Sequence, residues 1–497
     1  MKNTLLYTLA GCVLFGLTSC DLDINDNPNA ITSVGNDNIF PTAEVNLAAT
    51  MGVGFNIYGG YNAEVYSQNA GCSNYLDYSQ FRVTSTNTNS SYTQLYSRVL
   101  QQLEVVRKQS TAEPGSFLAA TALRAYTFQV LVDAYGETPY SEALTDETQP
   151  RYDDGADVYA GIIAELEAAK AGAEATSTVC ANLTFGKTTA TTGTAADWLK
   201  FANSLLLKLY MRESGVADVK DKVSKLVAEN NFITDDVVYD KCWGNATGSY
   251  SPLYTEYLKI QNDWALNYAV SATFKAEGVN DTRLNALWAE GEKGMVGTAS
   301  GTNLSTEMSG TQPAAFAIPA FRYDMPVYLM TVAEVEFFLA EYYAKMDVDH
   351  AKAKAHYEAA VSASFQTAGV ADVATAVVTE AWPYSAEEPM KAIGVQKWLH
   401  YASTLQGFEA WCEVRRIGYP AFSGQDAEDI IENDVKNFNL VPTYYKPGTL
   451  YTPKSVYALV GDNQLLQRFD YAQISTQYNN NVPATKQPTV PVFWNVK

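Results

Sequence analysis

Aromatic rings occur together with amide, carboxylate and guanidinium groups in two stretches that lack helical periodicity, the first at 74–92 and the second at 243–257. A neutral sugar presents C–H faces that stack on rings and hydroxyls that need directional hydrogen-bond partners. We therefore predict that these stretches bind ligand. The candidate ligand-binding residues are Tyr75, Asp77, Tyr78, Arg82, Tyr92, Trp243, Asn245, Tyr250 and Tyr254. For any single tyrosine, packing in the core or against a partner is the alternative interpretation.

Catalysis finds little support in the side chains that usually perform it. The chain has three histidines, His350, His356 and His400, and the six-residue spacing of the first two does not match a zinc-protease H-E-x-x-H motif. The 55 carboxylates guarantee accidental pairs, and nothing nominates two of them as a glycosidase acid and base. We predict no catalytic residue, no metal site and no cofactor, and therefore a binding protein rather than an enzyme.

The cysteines of the chain body offer no readable zinc site, because they are widely spaced and form no C-x-x-C pair. They are Cys72, Cys180, Cys242 and Cys412. A disulfide among them is permitted outside the cytoplasm, but buried thiols are the favoured interpretation.

Acidic and basic residues recur on two predicted helices. Glu334, Glu336 and Glu341 lie on one of them, and Arg415 and Arg416 lie near the end of the other. A metal or substrate role is one interpretation of this pattern. Structural ion pairs and a solvated face are the favoured one.

The N-terminus has the pattern of a processing signal. An apolar stretch from Leu5 to Leu17 follows Lys2 and is too short to span a bilayer. It ends in Leu-Thr-Ser-Cys, which resembles the lipobox of bacterial lipoproteins, and acidic residues after Cys20 look like a surface-export signal of Bacteroidota. We predict a signal peptide at 1–19, lipidation of Cys20, and a tether at 20–40.

Composition narrows the possible partners. The 497 residues carry 34 Lys and Arg against 55 Asp and Glu, a net charge of −21 that repels phosphate backbones and excludes nucleic acid as a partner. The apolar fraction of 47% is sufficient for a folded core. No stretch after the leader reaches the length of a membrane span, so the acyl chains on Cys20 are the expected membrane anchor.

Apolar residues recur at three and four positions along most of the chain, which predicts an all-α dominated fold. Predicted helices cover 91–109, 116–135, 195–212, 218–229, 327–346, 350–367, 389–401 and 404–417. The later helices form hairpins with a period close to that of tetratricopeptide repeats. A loop-rich insertion at about 234–326 carries part of the ligand-binding residues, and a second loop-rich part covers about 418–497.

Five segments together resemble the SusD/RagB family of nutrient-binding lipoproteins, specifically its second SusD-like branch. They are the acidic stretch after the lipobox, 124–143, 198–212, 326–341 and 396–420. The resemblance implies a SusD-like domain over 41–497 with about four tetratricopeptide-like units. It also implies a lipid-anchored position at the cell surface on the outer membrane.

The resemblance further implies a role in nutrient uptake, beside a SusC-like TonB-dependent outer-membrane transporter. The expected function is capture of glycan oligosaccharides and their delivery to that transporter. Two alternatives stay open: the same role with peptides as ligand, and a structural lid of the transporter that binds nothing tightly.

Overall fold

The computed structural model describes residues 34–72, 74–260, 263–276, 279, 281–300, 313–370, 375–452, 461 and 463–496. Residues Asn36–Lys497 form one compact unit. The predicted signal peptide and the lipidation site at Cys20 lie outside the described residues. Within the described ranges, no helix is both long and apolar enough to cross a bilayer.

Helices dominate the described chain, which confirms the predicted fold class. Their bounds are α1 (Asn36–Thr50), α2 (Asn56–Asn62), α3 (Leu76–Ser79), α4 (Asn89–Gln94), α5 (Gln101–Gln109), α6 (Pro114–Tyr135), α7 (Gly155–Gly172), α8 (Ala196–Glu213), α9 (Lys220–Glu229), α10 (Pro252–Ile260), α11 (Tyr268–Phe274), α12 (Val332–Lys345), α13 (His350–Thr367), α14 (Thr375–Ala381), α15 (Pro389–Thr404), α16 (Gly407–Ile417), α17 (Ala427–Ile430) and α18 (Gln473–Tyr478). π-helical turns at Met51–Phe55 and Leu95–Leu100 join α1 to α2 and α4 to α5.

The strands are short and pair two by two. They are β1 (Tyr66–Gln68), β2 (Thr178–Asn182), β3 (Thr191–Thr194), β4 (Val237–Tyr239), β5 (Trp264–Leu266), β6 (Trp288–Ala289), β7 (Ile318–Pro319), β8 (Val327–Met330), β9 (Ala421–Phe422) and β10 (Thr449–Leu450). The pairs β1–β5, β2–β3, β4–β8 and β6–β7 are antiparallel, and β9–β10 is parallel. Where the structure describes it, the insertion predicted as loops at 234–326 therefore holds the α-helices α10 and α11 and several of these strands.

Consecutive helices pack side by side in the pairs α6–α7, α8–α9, α12–α13 and α15–α16. The prediction of one helix over 327–346 is wrong at its start, because Val327–Met330 pairs with β4 as a strand. The helix begins at Val332, where the hydroxyl of Thr331 accepts a hydrogen bond from the backbone N–H of Glu334 at 3.1 Å. That cap satisfies a free N–H group of the first turn.

An N-terminal helix starts at Asn36, inside the range expected for the tether. Its continuation α2 packs closely on α16, and glycines on both helices permit the contact. A Cβ on Gly59 would lie 2.5 Å from the Cα of Phe408, and one on Gly407 would lie 2.6 Å from the Cα of Gly60. The close approach of the two backbones therefore requires glycine at these positions.

Several of the acidic and basic residues of the repeat helices form buried ion pairs. Lys208 Nζ lies 3.0 Å from Glu334 Oε1, and Arg416 pairs with Glu341 at 2.5 Å. Glu336 faces His356, whose Nδ1 lies 2.7 Å from Glu336 Oε2. The favoured interpretation as structural ion pairs is thus confirmed for Glu334 and Glu341. Removing one partner of such a pair leaves an uncompensated buried charge.

Candidate functional site

The first predicted stretch and the helix α10 enclose a cavity of 290 Å³. Its lining combines two tyrosine rings with carboxylates and amides. The lining residues are Asn74, Tyr75, Leu76, Asp77, Tyr78, Asn87, Glu256 and Ile260. Of the predicted ligand-binding residues, Tyr75, Asp77 and Tyr78 therefore meet in one place.

Local backbone geometry presents the two tyrosines together. Tyr75 immediately precedes the short helix α3 and has φ of +62°, a left-handed conformation that non-glycine residues seldom adopt. Tyr78 lies one turn further along α3. The two ring centroids are 5.2 Å apart at an interplanar angle of 33°, so the half-buried rings form one tilted aromatic surface.

A buried aromatic layer supports these two rings. Tyr61 and Trp264 are fully buried, and their ring centroids lie 5.8 Å and 6.0 Å from that of Tyr75. Tyr58 packs edge-on against Tyr78 at 4.6 Å. Because close-packed neighbours hold side chains in fixed rotamers, Tyr75 and Tyr78 present their rings to a ligand with little ordering left to occur.

Hydrogen bonds fix the polar rim of the cavity. The hydroxyl of Tyr75 donates to Glu256 Oε1 at 2.6 Å, and Asn87 Nδ2 donates to the hydroxyl of Tyr78 at 3.2 Å. Asn74 Nδ2 donates to a carboxylate oxygen of Asp263. Burial and the bond to Glu256 raise the pKa of Tyr75 well above its ordinary value, so the phenol stays a donor at neutral pH.

The rim carries more negative than positive charge. Asp77 and Glu256 line the cavity, whereas Arg82 is not among the described lining residues and pairs with Asp77 from outside at 3.3 Å. Lys259 Nζ lies 2.6 Å from Glu256. Both basic side chains are largely exposed, where charge pairs are weak. The arrangement disfavours an anionic ligand.

The second predicted stretch reaches the cavity through a series of ring contacts. Tyr250 packs against Tyr254 at 5.3 Å and Tyr254 against Tyr257 at 6.0 Å. Tyr257 contacts Phe321 at 5.6 Å. Phe321 in turn packs on Trp264 at 5.5 Å, beneath Tyr75. The two predicted stretches thus share one aromatic layer, although Tyr250 and Tyr254 are not among the described residues that line the cavity.

Three further predicted residues, besides Arg82, Tyr250 and Tyr254, are not among the described residues that line this cavity. Trp243 is half-buried and its Nε1 donates to the carbonyl oxygen of Tyr239 at 2.9 Å. Asn245 is exposed on the same loop. Tyr92 is 7% exposed, packs against Tyr96 at 4.9 Å and borders a different cavity.

Sequence reasoning missed Glu256 as a site residue. The carboxylate lies on α10 between Tyr254 and Tyr257, both of which belong to the predicted aromatic stretch. The only sign of this role in the sequence is a charged residue between two tyrosines. Nothing local indicates that its partner is Tyr75, 181 positions away.

No cluster of three or more metal-ligating side chains occurs among the described residues. His400 is buried between Thr331 and Ser364, with ring nitrogens 2.8 Å and 3.0 Å from their hydroxyls. Burial lowers its pKa to about 3, so the imidazole is neutral in the physiological range. Cys180 and Cys412 are buried, as the sequence predicts, whereas Cys72 and Cys242 are only partly buried. No disulfide joins these cysteines within the described part of the chain.

Comparisons with known proteins place this fold in a family context. The SusD-like family that is described as starch-binding and associating with the outer membrane matches residues 28–438. No curated protein matches the chain significantly.

Several solved structures share the fold. A SusD homologue from Bacteroides uniformis is 21% identical, with a TM-score of 0.73 over 93% of this chain and 100% of that one. A SusD/RagB family protein from Bacteroides thetaiotaomicron is 18% identical, with a TM-score of 0.69 over 93% and 99%. A chitin-binding SusD homologue from Flavobacterium johnsoniae is 19% identical, with a TM-score of 0.68 over 93% and 97%.

Proposed function

Because this chain belongs to the SusD/RagB family, we propose that it is a cell-surface lipoprotein that captures neutral glycan oligosaccharides. In this proposal it delivers them to a SusC-like TonB-dependent transporter in the outer membrane, and it performs no catalysis. The observation that carries the ligand class is the cavity at Tyr75 and Tyr78, where tilted rings lie beside amide and carboxylate groups. Rings with directional polar groups at their edge suit the faces and hydroxyls of a sugar.

The size of the cavity supports a chain ligand that is bound only in part. Its 290 Å³ is near the lower end of the ~300–1,000 Å³ typical of ligand sites. We assign the centre of the site to Tyr75, Tyr78 and Asp77, with Arg82 acting at the rim through Asp77. We propose that the rest of the oligosaccharide contacts residues outside the cavity, namely Tyr250, Tyr254, Trp243 and Asn245.

Family membership also supports the anchor and the partner. The family description states association with the outer membrane, and a thioether-linked lipid at Cys20 would supply the attachment. The net charge of −21 makes electrostatic attraction to anionic lipid an unfavourable anchor. The transporter would provide the route across the membrane for the captured ligand.

The ligand class is tested by calorimetry of the full chain in mild detergent against three panels. The panels are neutral oligosaccharides (α-glucan, β-glucan and chitin series), oligosaccharides of uronic acids, and peptides. We expect saturable binding of one neutral series and, because Asp77 and Glu256 line the cavity, weak binding of uronates. Binding of peptides alone would replace the glycan by a peptide ligand. Binding of nothing would leave the structural lid as the function.

The partner is tested by co-purification. A tagged chain in mild detergent should bring down a β-barrel transporter from the outer membrane of its host. Repeated purification of a stable, lipidated chain without any transporter would contradict the delivery role. The calorimetric titrations would then decide the binding role independently.

A further inference from the structure

A second cavity, of 270 Å³, lies where three separate parts of the chain meet. Tyr92 and Tyr96 come from the helix 89–109, Leu144 and Pro150 from the loop before α7, and Tyr478 from α18. None of the described residues that line this cavity carries a charge. Its polar groups are hydroxyls and the amide of Asn479. The lining therefore favours an uncharged ligand with apolar faces.

The cavity is held open by hydrogen bonds between the three parts. The hydroxyl of Tyr96 donates to the carbonyl oxygen of Pro139 at 2.7 Å. Asn479 Nδ2 donates to the carbonyl oxygen of Pro150 at 2.7 Å. Such bonds between distant segments fix the walls before any ligand arrives, which lowers the entropic cost of binding.

Aromatic surface is available inside this cavity. Tyr478 is 72% exposed although it borders the cavity, and the lining residues Tyr92 and Tyr96 have ring centroids 4.9 Å apart. The largely exposed ring of Tyr478 has no aromatic partner among the described residues and is therefore a platform on which a ligand can stack. Stacking on such a ring is what a sugar face requires.

The two cavities share one short segment of the chain. Asn87 lines the first cavity and its carbonyl oxygen accepts a hydrogen bond from the hydroxyl of Tyr58 at 2.6 Å. Asn89 Oδ1 accepts a bond from the backbone N–H of Ile474 at 2.8 Å, and Ile474 lines the second cavity. Residues 87–92 therefore contribute to the linings of both cavities, Asn87 to the first and Tyr92 to the second.

We infer that the cavity at Tyr92, Tyr96 and Tyr478 is a second subsite that binds distal units of the same neutral saccharide chain. This inference rests on the proposed function of the first cavity. Two linked subsites bind a long chain more tightly than a short one, because the second contact forms within a complex that already exists. A short oligosaccharide gains nothing from the second subsite.

The test measures the dependence of affinity on chain length. The full chain, Tyr478→Ala, Tyr78→Ala and the control Tyr444→Ala are titrated with the trimer and the octamer of α-glucan, β-glucan and chitin. Tyr444 is also exposed, at 37%, and is not among the described residues that line either cavity. We expect Tyr478→Ala to weaken octamer binding about three- to tenfold and to leave trimer binding unchanged. Tyr78→Ala should weaken both.

Each other result overturns a different claim. If Tyr478→Ala behaves like Tyr444→Ala toward the octamer while Tyr78→Ala weakens it, the second subsite is refuted and the proposed function stands. If Tyr478→Ala spares the octamer but reduces co-purification of the transporter, the cavity is a protein contact and the inference is wrong. If the unmodified chain binds no saccharide of either length, the proposed function fails, and the subsite with it.

Discussion

The hydroxyl of Tyr75 donates a 2.6 Å hydrogen bond to Glu256 Oε1, joining residues 181 positions apart. This bond connects the first predicted stretch to the helix α10, so both contribute to the wall of the cavity. A phenol that donates to a carboxylate makes a charge-assisted bond, which is stronger than a neutral one. The position of the Tyr75 ring therefore depends on a side chain that itself lines the cavity.

Removing this hydroxyl should weaken ligand binding without abolishing it. Tyr75→Phe keeps the ring and loses the bond, so we expect a loss of ligand affinity of about 1–2 kcal/mol through poorer preorganisation. Glu256→Gln keeps an acceptor and should cost less. Calorimetry on both variants and the double variant gives the coupling energy. If the losses of affinity in the two single variants add up to the loss in the double variant, the hydrogen bond does not contribute to ligand binding.

The buried carboxyl of Glu44 predicts a specific pH dependence of stability. Burial raises its pKa from the ordinary 4.5 to about 7, despite hydrogen bonds from Leu183 and Thr184 and the charge of Lys187. Between these two pH values the folded chain holds a proton that the unfolded chain releases. The free energy of unfolding therefore falls as pH rises through this window, by about 3 kcal/mol from this group.

The comparison of Glu44→Gln with the unmodified chain isolates that contribution. Denaturant unfolding at pH 5 and pH 8 should show a smaller loss of stability for the variant over this range. The exposed Glu174→Gln is the matched control and should follow the unmodified chain. Parallel pH profiles for all three proteins would contradict the assignment to Glu44.

Trp398 is a structural residue by this account. It is 1% exposed, and its Nε1 donates to the carbonyl oxygen of Ala63 at 2.8 Å. Trp398→Ala should lower the free energy of unfolding by about 3–5 kcal/mol, since it removes a large buried ring. Trp398→Phe retains most of the volume and should cost less. A thermal unfolding midpoint unchanged in Trp398→Ala would show that the core tolerates the cavity.

The proposed lipid anchor at Cys20 gives a cellular prediction. Cys20→Ala removes the thiol that would carry the lipid, so the chain should appear unprocessed or soluble rather than in the outer membrane. Protease added to intact cells should degrade the unmodified protein, because the acidic residues after Cys20 indicate export to the surface. Full protection of the unmodified protein from that protease would refute surface exposure.

Much of the helical fold was predictable because its helices are amphipathic. The period of apolar residues gave His350–Thr367 with the bounds that the structure has. The helix that begins at Asn36 was missed because three asparagines and an internal proline, Pro41, weaken its helical signal. Its continuation α2 is stabilised by packing, including the approach of Gly59 to Phe408. The strand Val327–Met330 was missed because its pairing partner β4 lies about 90 positions away. Local sequence does not indicate a pairing over that separation.

The site was predictable in its residue types but not in its pairing. Tyr75 and Tyr78 stand out because aromatic and polar residues alternate there without helical spacing, and the structure brings them together. Tyr92 belongs to the same stretch, but the helix at 89–109 directs it to the second cavity. Glu256 becomes a site residue only through a contact across the fold. The sequence indicates which side chains can bind a ligand, whereas tertiary packing decides which of them meet in one cavity.

The central claim is that this chain captures a neutral saccharide on the rings of Tyr75 and Tyr78. Its most direct test is a calorimetric titration of the unmodified chain, Tyr78→Ala and the control Tyr444→Ala with the neutral oligosaccharide that binds best. We expect Tyr78→Ala to weaken binding by about 1–3 kcal/mol and Tyr444→Ala to leave it unchanged. Equal affinity for all three proteins, with Tyr78→Ala still folded, would contradict it.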